Sequence, residues 1–154
     1  MTRGKGENIM RVRCEQVDEK EKEQALIRAV EKTADILSAM DLLENGSGGI
    51  QVIKDRNTFF CKLTQIYYIE SVDKRTYVYT KGECYESRDR LYELEEKLGM
   101  YYVRISKSMI VNLRKIRNVS AEPGGRMVAV LLNGERVIIS RSYVKDIKRR
   151  LGIQ

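Results

Sequence analysis

Hydrophobic and polar positions in the first third of the chain follow two different periods. Residues 9–17 ("IMRVRCEQV") alternate weakly between apolar and polar side chains, which predicts a short strand. Residues 19–44 space their apolar side chains by three and four, which predicts one long amphipathic helix. The glycine-rich sequence "NGSGG" (45–49) predicts the end of that helix and a flexible joint. The apolar face of this helix would consist of Leu26, Ala29, Val30, Thr33, Ile36, Leu37 and Met40.

After the joint, the pattern changes to the two-residue period of half-buried strands. "IQVI" and "FFCKL" flank the polar "KDRNT", and "IYYIES" and "TYVYT" flank "VDKR", so two hairpins are predicted. "KGE" predicts a third reversal, into "CYES". Residues 89–98 interrupt the alternation with Leu91, Leu94 and Leu98 on one side of a short helix.

The last third returns to strands and ends in a helix. Strands are predicted at 101–105 and 115–121, and again in "RMVAVLL" and "ERVIIS", which the tight-turn dipeptide Asn-Gly connects. Residues 141–151 predict a final helix. The second part, residues 50–154, is therefore expected to be mostly β (α+β), with antiparallel sheets and two short helices. Residues 1–49 are an N-terminal strand and helix extension, and the expected core residues around the basic stretch are Val103, Ile105, Met109, Ile110, Val111, Leu113 and Ile116.

Composition excludes several classes of protein. A chain of 154 residues with 42% hydrophobic content is suited to one domain with a core. No apolar run approaches the roughly 20 residues of a membrane span, and no signal peptide is recognisable, so we expect a cytoplasmic location without membrane insertion. Cys14, Cys61 and Cys84 lie far apart, and we expect them to pack as small apolar groups in a reducing compartment.

The absence of histidine argues against most catalytic sites. No Ser-His-Asp or Cys-His arrangement and no His-ligated metal site can form, and neither common glycine-rich phosphate loop is present. The carboxylates of "ELEEK" are better explained as a solvated helix surface. We therefore expect neither an enzyme nor a bound cofactor or metal.

Charge is distributed very unevenly along the chain. The net charge is +7, but residues 97–154 carry thirteen basic and three acidic side chains, whereas the rest is slightly acidic. Within this region, "YYVRISKSMIVNLRKIRNV" (101–119) has five basic residues and no carboxylate. Such an asymmetry indicates a polyanionic partner.

Three motifs in the second part occur together in a known family. "IYYIES…TYVYT" before a short helix, then "RISKSMIVNLRKI", then "LLNGERVIISRSYVKDIKRRL", resemble the LytTR family of DNA-binding domains in order and spacing over roughly residues 50–152. The resemblance implies elongated antiparallel sheets with minor helices. It also implies binding of paired domains to repeated sites on double-stranded DNA, with loops entering successive major grooves. Many members carry a receiver domain, which 49 residues cannot form, so a stand-alone, bacterial-type transcription regulator is expected.

The resemblance also implies which residues contact DNA. In the loop "VDKR", Lys74 or Arg75 would reach a base edge, although a solvated hairpin turn explains either one equally well. In "RISKS", Lys107 occupies the base-contacting position and would read guanine most naturally. The neighbouring side chains assigned to phosphates are Arg104, Ser106 and Ser108.

The third contact region is the start of the last helix, "SRSYVK". Family members often have a second arginine, which contacts a base, where this chain has Ser142, so Arg141 would take over that base contact. Lys145 is a further candidate, and Tyr143 either donates to a phosphate or packs in the core. Asn112 matches the family pattern, but a buried asparagine that ties a turn together is equally credible.

Two other functions remain open from the sequence alone. The tyrosines of "IYYIE" and "YVYT" would allow an RNA-binding sheet if they were exposed for stacking, but cross-strand packing explains them better. The basic region would also suit a protein-interaction module. Residues 19–44 could form a homodimer, dock onto a regulatory protein, or cover one face of the β domain.

Overall fold

The computed structural model describes residues 10–45 and 48–153, and in these residues antiparallel strands are more extensive than helices. Single 3-10 turns lie at Lys20–Lys22, Leu63–Gln65 and Leu113–Lys115. In chain order, the other elements are α1 (Ala34–Asn45), β1 (Gly49–Lys54), β2 (Asn57–Lys62), β3 (Tyr68–Val72), β4 (Arg75–Tyr79), β5 (Cys84–Ser87), α2 (Leu91–Lys97), β6 (Tyr102–Ser106), β7 (Met109–Asn112), β8 (Ile116–Ala121), β9 (Met127–Leu131), β10 (Arg136–Ile139) and α3 (Arg141–Leu151).

The strands form two antiparallel sheets. The larger has seven strands in the order β2-β1-β5-β4-β3-β7-β6, and the smaller has three in the order β10-β9-β8. The hairpins β1–β2, β3–β4 and β9–β10 all occur where the alternating pattern and turn residues predicted them. The prediction of a mostly β fold with antiparallel sheets and short helices is confirmed.

Each sheet contributes to a hydrophobic core, and β6 and β7 contribute to both. Ile110 packs with Leu91 and Leu94 of α2 and with Leu98, which directly follows the helix; all three leucines are buried on one side. The next residue, Val111, packs in the second cluster together with residues of β9, β10 and α3. Because successive strand residues face opposite sides of a sheet, α2 covers one face at β7 and the small sheet with α3 covers the other. The β6–β7 hairpin is therefore held between two packed layers.

The N-terminal extension differs from its prediction. Residues 10–17 form no strand, and Ile9 lies outside the described residues, as do two residues of the predicted joint at 45–49. The long helix over 19–44 is also wrong, because α1 begins only at Ala34, and residues 23–33 have no regular secondary structure. Leu26 and Val30, expected in a buried face, are 77% and 103% exposed. A short isolated helix is marginal in water unless its apolar face is covered, and nothing in the described chain covers this one.

The helix α1 does pack against the β domain. Ile36 is buried, and the carboxylate of Asp41 is 2.9 Å from Nη1 of Arg114, in an ion pair that is largely shielded from solvent. The same guanidinium lies 3.8 Å from the ring centroid of Tyr101. Buried pairs of this kind depend on both partners, since removal of one leaves an uncompensated charge. Asp41 therefore fixes α1 beside the turn that follows β7.

The cysteines follow the expectation from composition only in part. Cys61 is buried and burial raises its pKa, but Cys14 and Cys84 are exposed, so the prediction that all three cysteines pack inside is wrong for those two. Within residues 10–45 and 48–153, no helix has the length and apolar character needed to cross a membrane.

Candidate nucleic-acid interface

The β3–β4 turn presents two basic side chains to solvent. Asp73 and Lys74 occupy the turn with φ of 51° and 66°, the pair of positive values that matches the twist of a two-residue hairpin. Lys74 and Arg75 are both exposed. A hairpin tip with this geometry projects its side chains beyond the end of the sheet.

The β6–β7 turn carries Lys107 and is closed by local hydrogen bonds. The N–H of Ser108 donates to Oγ of Ser106 at 3.2 Å, and the two hydroxyl oxygens are 3.3 Å apart. The ladder between β6 and β7 is irregular between Arg104 and Ser106, which are opposite Ile110 and Met109. Such irregularities re-aim side chains at strand ends. Lys107 itself is exposed at the tip.

Backbone hydrogen bonds bring these two turns and the start of α3 together. The N–H of Ser71 donates to the carbonyl of Ser108 at 2.8 Å, which places the β3–β4 and β6–β7 turns side by side at one end of the large sheet. The N–H of Ser140 donates to the carbonyl of Ile105 at 2.8 Å, which joins the start of α3 to the end of β6. The three predicted contact regions therefore lie next to one another.

The first turn of α3 exposes polar side chains and buries apolar ones. Arg141, Ser142 and Lys145 are exposed, whereas Tyr143 is half-buried and packs against the second core. The side chain of Ser140 occupies the N-cap position without a capping hydrogen bond. The structure thus supports the packing role of Tyr143, while its three neighbours face solvent.

The loop between β8 and β9 lies against this helix start. Gly125 has φ of +81°, and a Cβ on it would lie 3.0 Å from Cδ of Arg141. The side chain of Arg141 therefore packs directly against the backbone at Gly125. The sequence pattern identified a turn at "PGG" but gave no indication that it lies beside Arg141.

Arg104 has two partners within the protein. Its Nε donates to Oε1 of Glu95 on α2, and its Nη1 donates to the carbonyl of Lys107 at 2.6 Å. The side chain is only 23% exposed. Its guanidinium is thus engaged inside the β6–β7 turn. The sequence did not identify Glu95, because the pairing joins α2 to β6 and no local pattern indicates it.

Asn112 is not available at the surface. It is 2% exposed, and its Nδ2 donates to the carbonyl of Ile66 at 2.8 Å, while its Oδ1 accepts from the N–H of Arg114 at 3.1 Å. The sequence analysis included Asn112 among the candidate DNA contacts, and its burial corrects that assignment. These bonds match the alternative role, that of a buried asparagine which ties chain segments together.

Several basic residues elsewhere in the last third have partners within the protein. Asp146 contacts both Arg149 and Arg150, and the hydrogen bond from Arg149 lowers the pKa of that carboxyl. Burial lowers the pKa of Lys115, whose ammonium lies 5.0 Å from the ring centroid of Tyr67.

The tyrosines of β3 and β4 pack against each other. The rings of Tyr68 and Tyr79, which are opposite each other in the ladder, are stacked at 4.4 Å, and Tyr67 is buried. The neutral form is favoured there, because burial raises the pKa of Tyr68 and raises that of Tyr79 to about 12. Rings engaged in this way are not exposed platforms for stacking of single-stranded bases.

The opposite end of the large sheet offers an internal comparison. The β1–β2 turn has the same conformation as the β3–β4 turn, with φ of 51° at Asp55 and 66° at Arg56. The pairing of Ile53 with Glu86, and of Glu86 with Tyr77, places this turn at the end away from Lys74 and Lys107. Arg56 is thus an exposed basic residue in a matching turn, remote from the three contact regions.

Comparison with known proteins gives a consistent result for the β domain. The family model for LytTR, the LytTr DNA-binding domain, matches residues 56–152. The solved LytTr DNA-binding domain of a methyl-accepting/DNA response regulator from Bacillus cereus superposes with a TM-score of 0.66 at 26% identity. This superposition covers 70% of this chain and 100% of that one.

Curated relatives include regulators from Staphylococcus aureus. Two proteins, from different strains and both named as uncharacterized HTH-type transcriptional regulators, are 32% identical over 99 residues, which is 64% of this chain and 67% of theirs. In the described part of this chain, strands separate α1, α2 and α3 from one another, so these helices do not form a helix-turn-helix.

Proposed function

Because the chain belongs to the LytTR family of DNA-binding domains, we propose that it is a transcriptional regulator that recognises specific sequences in double-stranded DNA. It would read the major groove through loops at one end of its large sheet. The observation that supports this proposal best is the convergence of the three contact regions through the Ser71–Ser108 and Ser140–Ile105 backbone bonds.

The exposed residues divide by the kind of contact they can make. Lys107 and Lys74 are at the tips of adjacent hairpins, where a side chain can enter a groove and donate to the acceptors of guanine. Ser106 and Ser108 are at the base of the Lys107 turn, and their hydroxyl groups suit phosphate oxygens. Arg75 and Arg141 are exposed beside these tips and can reach a base edge as well. Ser142 and Lys145 would supply further donors to the backbone of the duplex.

Electrostatics would supply much of the affinity. If the surface neutralises about six to eight phosphates, the logarithm of affinity should fall against the logarithm of salt concentration with a slope near −5 to −7. Carboxylates are sparse beside the three contact regions but present, since Asp73 shares the turn of Lys74. The specific contacts therefore matter for discrimination between sequences, whereas the net charge of the last third promotes association.

The experiment begins with selection of bound sequences from a random duplex pool, followed by affinity measurements on the selected and a scrambled duplex at two salt concentrations. Lys107→Ala should lower affinity for the selected duplex by roughly tenfold, the effect of one good base contact. Arg56→Ala removes the same charge at the remote end and serves as the control. Equal effects of the two substitutions would contradict reading by Lys107, and failure to select any duplex would contradict the function itself.

We further propose that the protein acts as a homodimer on repeated sites and that residues 19–44 form the contact between copies. Leu26 and Val30 have helical spacing and are almost fully exposed, and Leu42 and Leu43 of α1 are also exposed. A second copy would cover these side chains and stabilise helix formation over residues 23–33. A regulatory protein could use the same segment, as the sequence already suggested.

The oligomeric state tests this second proposal. The double variant Leu26→Ser and Val30→Ser should reduce the mass measured in solution from dimer to monomer. Val12→Ser is the matched control, because Val12 is 88% exposed but lies outside the helical pattern. A monomeric wild-type chain, or a variant that stays dimeric, would contradict a dimer contact in this segment.

A further inference from the structure

Glu95 on α2 is a negatively charged residue beside the positively charged end of the molecule. We propose that Glu95 is a positioning residue for DNA recognition: it holds the guanidinium of Arg104, which in turn fixes the turn that presents Lys107. This inference rests on the proposed function, because it assigns a role within the same DNA-binding surface.

The contacts form a continuous path from α2 to the hairpin tip. Oε1 of Glu95 accepts from Nε of Arg104, and Nη1 of the same guanidinium donates to the carbonyl of Lys107 at 2.6 Å. A planar guanidinium held at two edges has little freedom left to rotate. The carbonyl of Lys107 is therefore restrained by a side chain that is itself restrained by α2.

The β6–β7 turn has a particular need for such a restraint. The regular ladder is interrupted between Arg104 and Ser106, so the last pairing before the tip does not follow the register of the rest. The main-chain bond from Ser71 to the carbonyl of Ser108 holds one side of the turn. At the tip, further restraint comes from the Arg104 contact and from the bond between the Ser108 N–H and Ser106 Oγ. Ordering a loop before binding lowers the entropic cost of association. Glu95 would therefore increase affinity for the specific site without contacting DNA.

Electrostatics and positioning predict opposite results for the loss of Glu95. A carboxylate close to DNA repels phosphates, so a purely electrostatic role predicts that its neutralisation tightens binding to every duplex. A positioning role predicts weaker binding to the specific duplex alone. The Glu95 side chain is 43% exposed, and an exposed ion pair usually has little effect on stability, so the folded state should tolerate the substitution.

The test uses the full chain and three single variants. Glu95→Gln removes the charge that holds Arg104, and Glu96→Gln removes the charge of the exposed neighbour on α2 as the matched control. Arg104→Lys keeps a positive charge but cannot hold two partners in the same fixed geometry. Affinities are measured for the selected duplex and for a scrambled one, with circular dichroism to verify that each variant is folded.

We expect Glu95→Gln and Arg104→Lys each to weaken binding to the selected duplex on the order of tenfold, as loss of a charge-assisted hydrogen bond can do. Binding to the scrambled duplex should stay unchanged or tighten, and Glu96→Gln should weaken neither. In a Lys107→Ala background, the effect of Glu95→Gln should largely disappear, because the two residues act through one contact.

Other outcomes overturn the proposal. If Glu95→Gln binds the selected duplex as tightly as Glu96→Gln does, Glu95 does not position the turn, although the proposed function stands. If Glu95→Gln weakens both duplexes equally, its effect is a general one and the positioning role fails. A wild-type chain that prefers no duplex would overturn the proposed function and this inference together.

Discussion

The N–H of Ser71 and the carbonyl of Ser108 are joined by a 2.8 Å hydrogen bond that extends the β3–β7 ladder to its last position before the tips. The bond fixes the distance between the hairpin that carries Lys74 and the one that carries Lys107. The backbone positions of Lys74 and Lys107, the two residues proposed to read bases, are thus held at a constant spacing. Substitution of either lysine should leave this backbone spacing intact, so the effect of each one on DNA affinity can be measured separately.

Lys74→Ala should weaken binding to the selected duplex by roughly tenfold and relax the preference at one base position, if Lys74 reads a base edge. The measurement is a comparison of affinities for the selected duplex and for its single-base variants. Lys81→Ala is the control, because Lys81 is an exposed lysine in the loop between β4 and β5, at the remote end of the sheet. Uniform weakening across all duplexes would instead identify Lys74 as a phosphate contact.

Gly125→Ala should lower both stability and DNA affinity. Its φ of +81° costs an alanine about 1–2 kcal/mol, and its new methyl group would displace the Arg141 side chain. Gly124→Ala is a matched control, since φ there is +86° and no atom lies within 4 Å of its added Cβ. Chemical denaturation should show similar losses of unfolding free energy, with the affinity falling further for Gly125→Ala. Equal affinities of the two variants would contradict a role for Arg141 in binding.

Asn112→Ala should destabilise the fold by about 1–3 kcal/mol, because it leaves the buried carbonyl of Ile66 and the N–H of Arg114 without their partner. Asn118→Ala, at an exposed position of β8, should change the free energy of unfolding much less. At a temperature where both variants are folded, their DNA affinities should be equal. If Asn112→Ala alone lost DNA affinity, Asn112 would have to be counted among the DNA contacts again.

The stability of the fold should decrease in alkaline solution. The hydroxyl of Tyr102 donates to the carbonyl of Leu63, and burial raises its pKa above the ordinary value of 10.0, with the Asp41 carboxylate adding to the shift. The folded state therefore retains a proton that the unfolded chain releases, so the stabilisation is complete below pH 10 and is lost as the pH rises above it. Tyr102→Phe should reduce this pH dependence, whereas Tyr92→Phe, at an exposed site, should leave it unchanged.

Denaturation midpoints measured at intervals between pH 8 and pH 11 span the ordinary tyrosine pKa of about 10 and so detect this effect. Tyr68 and Tyr79, whose pKa values are also raised, contribute to the same loss. The slope should therefore be reduced and not abolished in Tyr102→Phe. A slope identical to that of the wild type would contradict the inferred proton retention.

The sequence predicted the β domain well because its elements are marked by local chemistry. Alternation identifies strands such as β3 and β4, and the spacing of Leu91, Leu94 and Leu98 identifies α2. Turn residues between the strands then mark where the chain reverses to form each hairpin. The long N-terminal helix was predicted from the spacing of its apolar residues. Such a helix is stable only when another surface covers its apolar face, and nothing in the described chain covers Leu26 and Val30.

The sequence predicted the candidate site less completely than it predicted the fold. Lys74, Lys107 and Arg141 are exposed, as their predicted roles require. The sequence did not predict that Arg104 is bound within the protein or that Asn112 is buried. Both depend on contacts between distant parts of the chain. An arginine in a basic stretch suggests a free cation, and only the packing of α2 against β6 gives it a carboxylate partner.

The main-chain nature of the bonds at Ser71 and Ser140 has an evolutionary consequence. Because these bonds involve only backbone atoms, side-chain substitutions at the hairpin tips should leave them in place. If the tips read bases as proposed, sequence preference would diverge among descendants while the scaffold is retained. On that proposal, a new target sequence would require few mutations, each with little cost to folding.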